Sequence, residues 1–126
     1  MVFARIVLLL TAAALAVIGV GFLVAPTPWA RAIDVMVASP TGRTDVRATY
    51  GGFVLAAGVF FAVCAAGTEW IRPGLVACAL ILAGFAAGRL IGLVVEGSLS
   101  RLMTAFLVLE VGGTAAAVVA FFRTAP

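Results

Sequence analysis

Residues Ile6 to Ala25 read IVLLLTAAALAVIGVGFLVA, twenty residues without a charge. As a helix rising about 1.5 Å per residue, such a run covers about 30 Å, the thickness of a bilayer's hydrocarbon core. A secretory signal peptide is the competing reading. Its apolar region is shorter, about 7–15 residues, and ends at a small-residue cleavage site. The run therefore reads as a membrane span. Three further apolar runs repeat the pattern, at Val46–Ala66, Pro73–Val95 and Leu102–Phe122.

The composition agrees. Of 126 residues, 65% are hydrophobic and 10% charged, and the mean hydropathy is +1.30. Soluble domains are about 45–50% apolar and about 25% charged. The same composition removes chemistry. There is no His and no Lys, and there are only two Cys, so His-based catalysis, His-ligated metals, lysine Schiff bases and Cys-rich metal sites are excluded. No metal or cofactor is expected. The net charge of +3 comes from eight Arg against five acids and forms no basic run, so nucleic acid is not an expected partner. An all-Arg chain rich in Ala, Gly and Val fits a GC-rich bacterial genome and the bacterial inner (plasma) membrane.

Punctuation sets the topology. Gly67–Arg72 and Glu96–Ser100 are short connectors, which make neighbouring helices antiparallel. Thr44 or Asp45 is placed to cap the second span, and Pro73 suits the first helical position of the third. The first connector, Pro26–Asp45, is longer. Thr27-Pro28 reads as a cap and first-turn proline, followed by an amphipathic helix over residues 28–37. Trp29, Ile33, Met36 and Val37 lie on one face, with Arg31 and Asp34 on the other, so this helix lies in the membrane interface. Ser39-Pro40-Thr41-Gly42 reads as a turn. Trp29 and Trp70 fall at opposite interfaces. The expected fold is all-α, a single polytopic domain over residues 1–126. It is an antiparallel bundle of four transmembrane helices with a short interfacial helix after the first.

The side holding the first and third connectors is here the B side, and both termini lie on the A side. Arg5, Arg72 and Arg123 mark the A side, and Arg31, Arg43 and Arg101 the B side, with Arg47 at its edge. The count does not separate the sides; we place the termini in the cytoplasm. Small residues let helices approach closely in lipid. Gly84, Gly88 and Gly92 form such a stripe in span three, Gly112, Ala116 and Ala120 in span four with Gly113 and Ala117 beside them, and Ala48, Gly52 and Ala56 in span two. The plainer reading is packing within the bundle; the sharper one is a homodimer seam.

The charges inside the spans carry the functional argument. An ionisable residue at a span's centre costs about 2.5–3.5 kcal/mol on insertion scales and usually faces the bundle interior. Arg89 lies about 10 Å from the end of span three and Glu110 about 15 Å into span four, so a tight turn brings them within pairing reach. Arg47 and Glu96 each sit at the unfavourable end of a helix dipole and on the same side, where each can neutralise the other. Arg89, Gly92 and Glu96 form one stripe, and Tyr50 stands one turn from Arg47. Arg47, Tyr50, Arg89, Glu96 and Glu110 are thus the expected polar site, a pocket within the bundle open to the B side. The plain alternative is a salt-bridge network that fixes helix register. Cys64 and Cys78 read as buried apolar residues.

Arg47-Ala48-Thr49-Tyr50-Gly51-Gly52, Gly88-Arg89-Leu90, Glu96-Gly97 and Glu110 together resemble the small four-helix bacterial membrane proteins grouped as domain of unknown function 4345, which are distantly DoxX-like in layout. The resemblance covers nearly the whole chain. It implies the four-helix fold and these polar positions, and no particular reaction.

Three functions fit. The first is a non-enzymatic membrane protein, with no catalytic residue. Its arginines hold a lipid headgroup or small anionic ligand, or it acts as accessory subunit to another membrane protein. The second is a small proton-coupled exporter using Glu110. It fits less well, because such exporters carry their carboxylate in the first span and Arg89 would hold Glu110 ionised. The third is a redox or quinone-linked protein using Cys64 and Cys78 or Tyr50. The first is preferred.

Overall fold

The computed structural model describes residues 1–124, and they are all-α. Helix α1 (Val2–Val24) is followed by α2 (Pro26–Ala32) and α3 (Pro40–Val46). A π-helical stretch, Arg47–Phe53, leads without a break into α4 (Val54–Ala66). A single 3₁₀ turn, Thr68–Trp70, precedes α5 (Ile71–Glu96), and α6 (Arg101–Arg123) completes the set. Four helical stretches are long and apolar enough to cross a membrane: Val2–Val24, Pro40–Ala66, Thr68–Glu96 and Arg101–Arg123.

Several boundaries differ from the sequence reading for identifiable reasons. Ser39 does not begin a turn. It caps α3, its hydroxyl accepting from the Gly42 amide at 3.0 Å, with Pro40 at the first helical position. Thr44 and Asp45 therefore lie inside a helix they were expected to cap. The second span consequently starts six residues before Val46. Ser100 plays the same part for α6, accepting from Met103 at 3.2 Å. Gly97 closes α5 in the left-handed conformation, φ 79°, which glycine adopts without strain.

The helix after the first span is shorter than residues 28–37. It runs from Pro26 to Ala32, and Asp34 then takes a φ of 59°. Beyond it the chain is no longer helical, and burial alternates from Ile33 to Ala38. Ile33, Val35 and Val37 pack with Trp29 on Phe22, Ala30 and Val46, whereas Met36, expected on that face, is 91% exposed.

The main core lies toward the A side. Leu8, Phe61, Cys64, Ile71, Leu75 and Cys78 are fully buried there, beside Ala117 and Ala120 of α6. Cys64 and Cys78 are free thiols within this core. Beyond Cys78, α5 buries only Ala86, and before Ala117, α6 buries only Glu110. Helix α1 stays packed along α4 and the π-helical stretch, and α5 along α6. The four helices thus converge on the A side and part into two hairpins toward the B side.

Glycine marks the close approaches, and of the expected stripes the one in span four packs, through Gly113, Ala116, Ala117 and Ala120, while the one in span three does not. A Cβ on Gly19 would sit 2.6 Å from the Leu55 amide nitrogen, on Gly58 2.9 Å from the Ala12 carbonyl, and on Gly74 2.6 Å from the Cys64 Cβ. At Gly84, Gly88, Gly92 and Gly112 it would meet nothing within 4 Å. The stripe in span three is an open face.

Candidate functional site

Arg89 and Glu110 form the centre of the polar arrangement. Arg89 stands eight residues before Gly97 and Glu110 ten residues after Ser100, about 12 and about 15 Å from their helix ends. The α5–α6 turn brings them level. Arg89 Nε donates to both carboxylate oxygens of Glu110, at 3.0 and 2.9 Å. This is the one ion pair among the described residues. Glu110 is 8% exposed. The arginine side chain is 24% exposed.

Two α6 residues complete the surroundings of the guanidinium. Arg89 Nη1 donates to the Met103 sulfur at 3.0 Å, and the guanidinium carbon lies 5.2 Å from the Phe106 ring centroid. Neither residue is charged, so neither stands out in an apolar span. The signal was present, since residues seven and four before Glu110 share its helix face. Arg89 Nη2 has no protein partner among the described residues, yet it is not among the side-chain atoms sealed from the surface without a bond. With one N–H on Nε and one on Nη1 engaged, three of the five guanidinium donors are free.

Arg47 and Tyr50 form a separate group. Arg47 is not at the start of its helix. It lies seven residues beyond Pro40, at the first residue of the π-helical stretch. Its Nε donates to the Leu23 carbonyl at 3.1 Å, in the last turn of α1. A cation at a helix C-terminus is favourable, so the charge expected to oppose one dipole complements another. Tyr50 stacks on Phe22, with centroids 5.2 Å apart and planes at 28°, and remains 41% exposed. Gly51 permits the contact with α1, since a Cβ there would meet the Leu23 side chain at 2.8 Å. π-Helical segments recur at functional sites, and this one coincides with the Arg-Ala-Thr-Tyr-Gly-Gly motif.

Glu96 ends α5, is exposed, and makes no ion pair among the described residues. The expected Arg47–Glu96 neutralisation does not form, because Arg47 is turned to α1. The five expected residues therefore make two groups and one free carboxylate. Two surface hollows are apolar and lie elsewhere, one beside Trp29 and Gly21, the other between α5 and α6 near Leu75 and Phe121. Among the described residues no three His, Cys, Asp or Glu side chains gather as a metal site requires.

At the A side, Arg72 Nη1 donates to the Phe121 carbonyl at 3.1 Å, and its guanidinium lies 4.0 Å from that ring's centroid. Arg123 lies 5.6 Å from the Phe3 ring. These contacts tie the end of α6 to α5 and α1.

A family model described as "Domain of unknown function (DUF4345)" matches residues 3–121, nearly the whole chain. The chain belongs to that family. No curated protein and no solved structure matches it.

Proposed function

We propose that this member of the DUF4345 family, a polytopic membrane protein, is a non-enzymatic lipid-binding protein. Its site is the open face of α5 around Arg89, where the hairpins part. The observation that carries the reading is Arg89, its side chain 24% exposed and its Nη2 without a partner among the described residues, about 12 Å from the helix end. An unmet N–H in an apolar medium costs several kcal/mol, and hydrocarbon holds no water to satisfy it. A lipid oxygen meets that need. Glu110 holds the guanidinium in place, and the bare backbone at Gly88 and Gly92 leaves room beside it.

The exporter reading is weaker, because both Glu110 oxygens already accept from Arg89. An accessory-subunit role is favoured by one observation only, the uncovered Gly84–Gly88–Gly92 stripe.

Native mass spectrometry of protein released from bilayers tests the proposal. Wild type is expected to retain lipid that Arg89→Gln loses and Arg89→Lys partly keeps. Equal retention by all three overturns it.

We further place the chain in a bacterial inner membrane with both termini cytoplasmic. The arginines divide nearly evenly, three on the A side and four on the B side with Arg47 included, so a direct fusion test decides the placement. Reporter fusions active in the cytoplasm when joined after residue 126, and inactive when inserted at Met36 in the first connector, are the expected result; the reverse pattern contradicts it.

A further inference from the structure

Resting on that lipid reading, we infer that the lipid held at Arg89 is a zwitterionic phospholipid, its phosphate on Arg89 and its ammonium on Glu96. Four observations lead there. First, the Arg89 charge is already balanced, since Nε donates to both oxygens of a buried Glu110. An incoming anion meets the free N–H groups of Arg89 together with a fixed carboxylate beside them. The site offers directed donors without net positive charge, which suits an oxygen acceptor on a molecule of no net charge.

Second, Glu96 is exposed and makes no ion pair among the described residues. It lies seven residues beyond Arg89, so the two share a helix face with a separation of about 10 Å along the axis. Third, the charges are ordered. The cation is deeper in the span and the carboxylate nearer the B side. A phospholipid whose headgroup ends in an ammonium has the complementary order, with phosphate toward the hydrocarbon and ammonium toward water. The two-carbon linker between them, with a hydrogen bond of about 3 Å at each end, covers the gap. Fourth, Gly92 lies between the two charges, and a Cβ on it would meet nothing within 4 Å, so the linker has space against the helix. The other arginines of this end are elsewhere. Arg31, Arg43 and Arg47 belong to α2, α3 and the π-helical stretch, and Arg101 opens α6 about 13 Å along the helix from Glu110. An anionic headgroup at Arg89 would have Glu110 directly beside it, with Glu96 and Arg101 both about 10 Å nearer the B side.

The test is lipid competition on the full chain in bilayers holding equal amounts of phosphatidylethanolamine, phosphatidylglycerol and diacylglycerol, read by native mass spectrometry. Wild type is expected to favour phosphatidylethanolamine over phosphatidylglycerol by about fivefold, the worth of one exposed charge pair. Glu96→Gln, at an exposed position, brings the ratio to unity, and Glu96→Arg reverses it. Diacylglycerol, lacking both charges, is not enriched. The inference is overturned if wild type shows no preference, prefers phosphatidylglycerol or diacylglycerol, or if Glu96→Gln leaves the ratio unchanged. Loss of all lipid in Arg89→Gln alongside an indifferent wild type would sink this inference and leave the lipid reading standing. Undiminished lipid in Arg89→Gln would remove the lipid reading itself.

Discussion

Arg89 and Glu110 depend on each other. Removing one partner of a buried pair leaves an uncompensated charge, which costs about 3–5 kcal/mol. The arginine's partial exposure moves the expectation to the lower end. Glu110→Ala should therefore destabilise the protein by about 3 kcal/mol in a reversible unfolding titration. The double variant Arg89→Met/Glu110→Leu should recover most of that loss, because it removes both charges, and still fail to retain lipid. A double variant as unstable as Glu110→Ala would mean that the pair does more than neutralise charge. This pair was legible in the sequence, since two charges in adjacent greasy helices joined by a five-residue connector have few places to go. Arg47 was not legible. Its partner is a backbone carbonyl on α1, and no side-chain pattern announces a carbonyl. Met103 and Phe106 were legible in principle, as they lie on the face of α6 that Glu110 defines.

Helices and connectors show where periodicity informs and where it misleads. Four long apolar helices lie within a few residues of the expected spans, because an apolar run about 30 Å long with at most one charge has one natural reading. Only the start of the second span moved substantially, once Ser39 proved to be a cap. Ser39→Ala should cost about 1 kcal/mol and speed amide exchange in Pro40–Val46 before the rest of the span; uniform exchange would argue against a local cap. The segment after Ala32 misled because its apolar residues satisfy both a helical and an alternating period, and the turn at Asp34 decides between them. Glycine spacing misled as well. The regular stripe at Gly84, Gly88 and Gly92 is open, whereas the irregular set at Gly19, Gly58 and Gly74 makes the contacts. Gly58→Leu should accordingly prevent stable folding. Gly92→Leu should leave the unfolding midpoint unchanged or raised, since a helical glycine costs about 1 kcal/mol in its own right. It should also displace lipid by filling the space beside Arg89. Equal destabilisation by the two substitutions would contradict the open face.

Taken whole, the molecule is tight at one end and parted at the other. The small residues and the fully buried Leu8, Phe61, Ile71 and Leu75 hold the A side. Toward the B side each hairpin is held by its own contacts, Arg47 to Leu23 in one and Arg89 to Glu110 in the other. Spin labels at the exposed pair Val63 and Leu80 should give a narrow distance distribution in bilayers, and labels at Phe53 and Ile91 a broader one that narrows when lipid is added. Equal widths would deny the parting. This division was not legible in the sequence, because hydropathy reports that helices are apolar and not which of their faces meet.

The central claim is that the free guanidinium N–H groups of Arg89 meet lipid oxygen. Magic-angle NMR on protein with ¹⁵N-labelled arginine, in phospholipid bilayers, measures this directly through recoupling to lipid ³¹P. The resonance that vanishes in Arg89→Lys identifies the residue. We predict dephasing of that resonance by phosphorus at about 4–5 Å, as one hydrogen bond to a phosphate oxygen requires. An Arg89 signal that phosphorus does not touch, while surface arginines are dephased, would contradict the account.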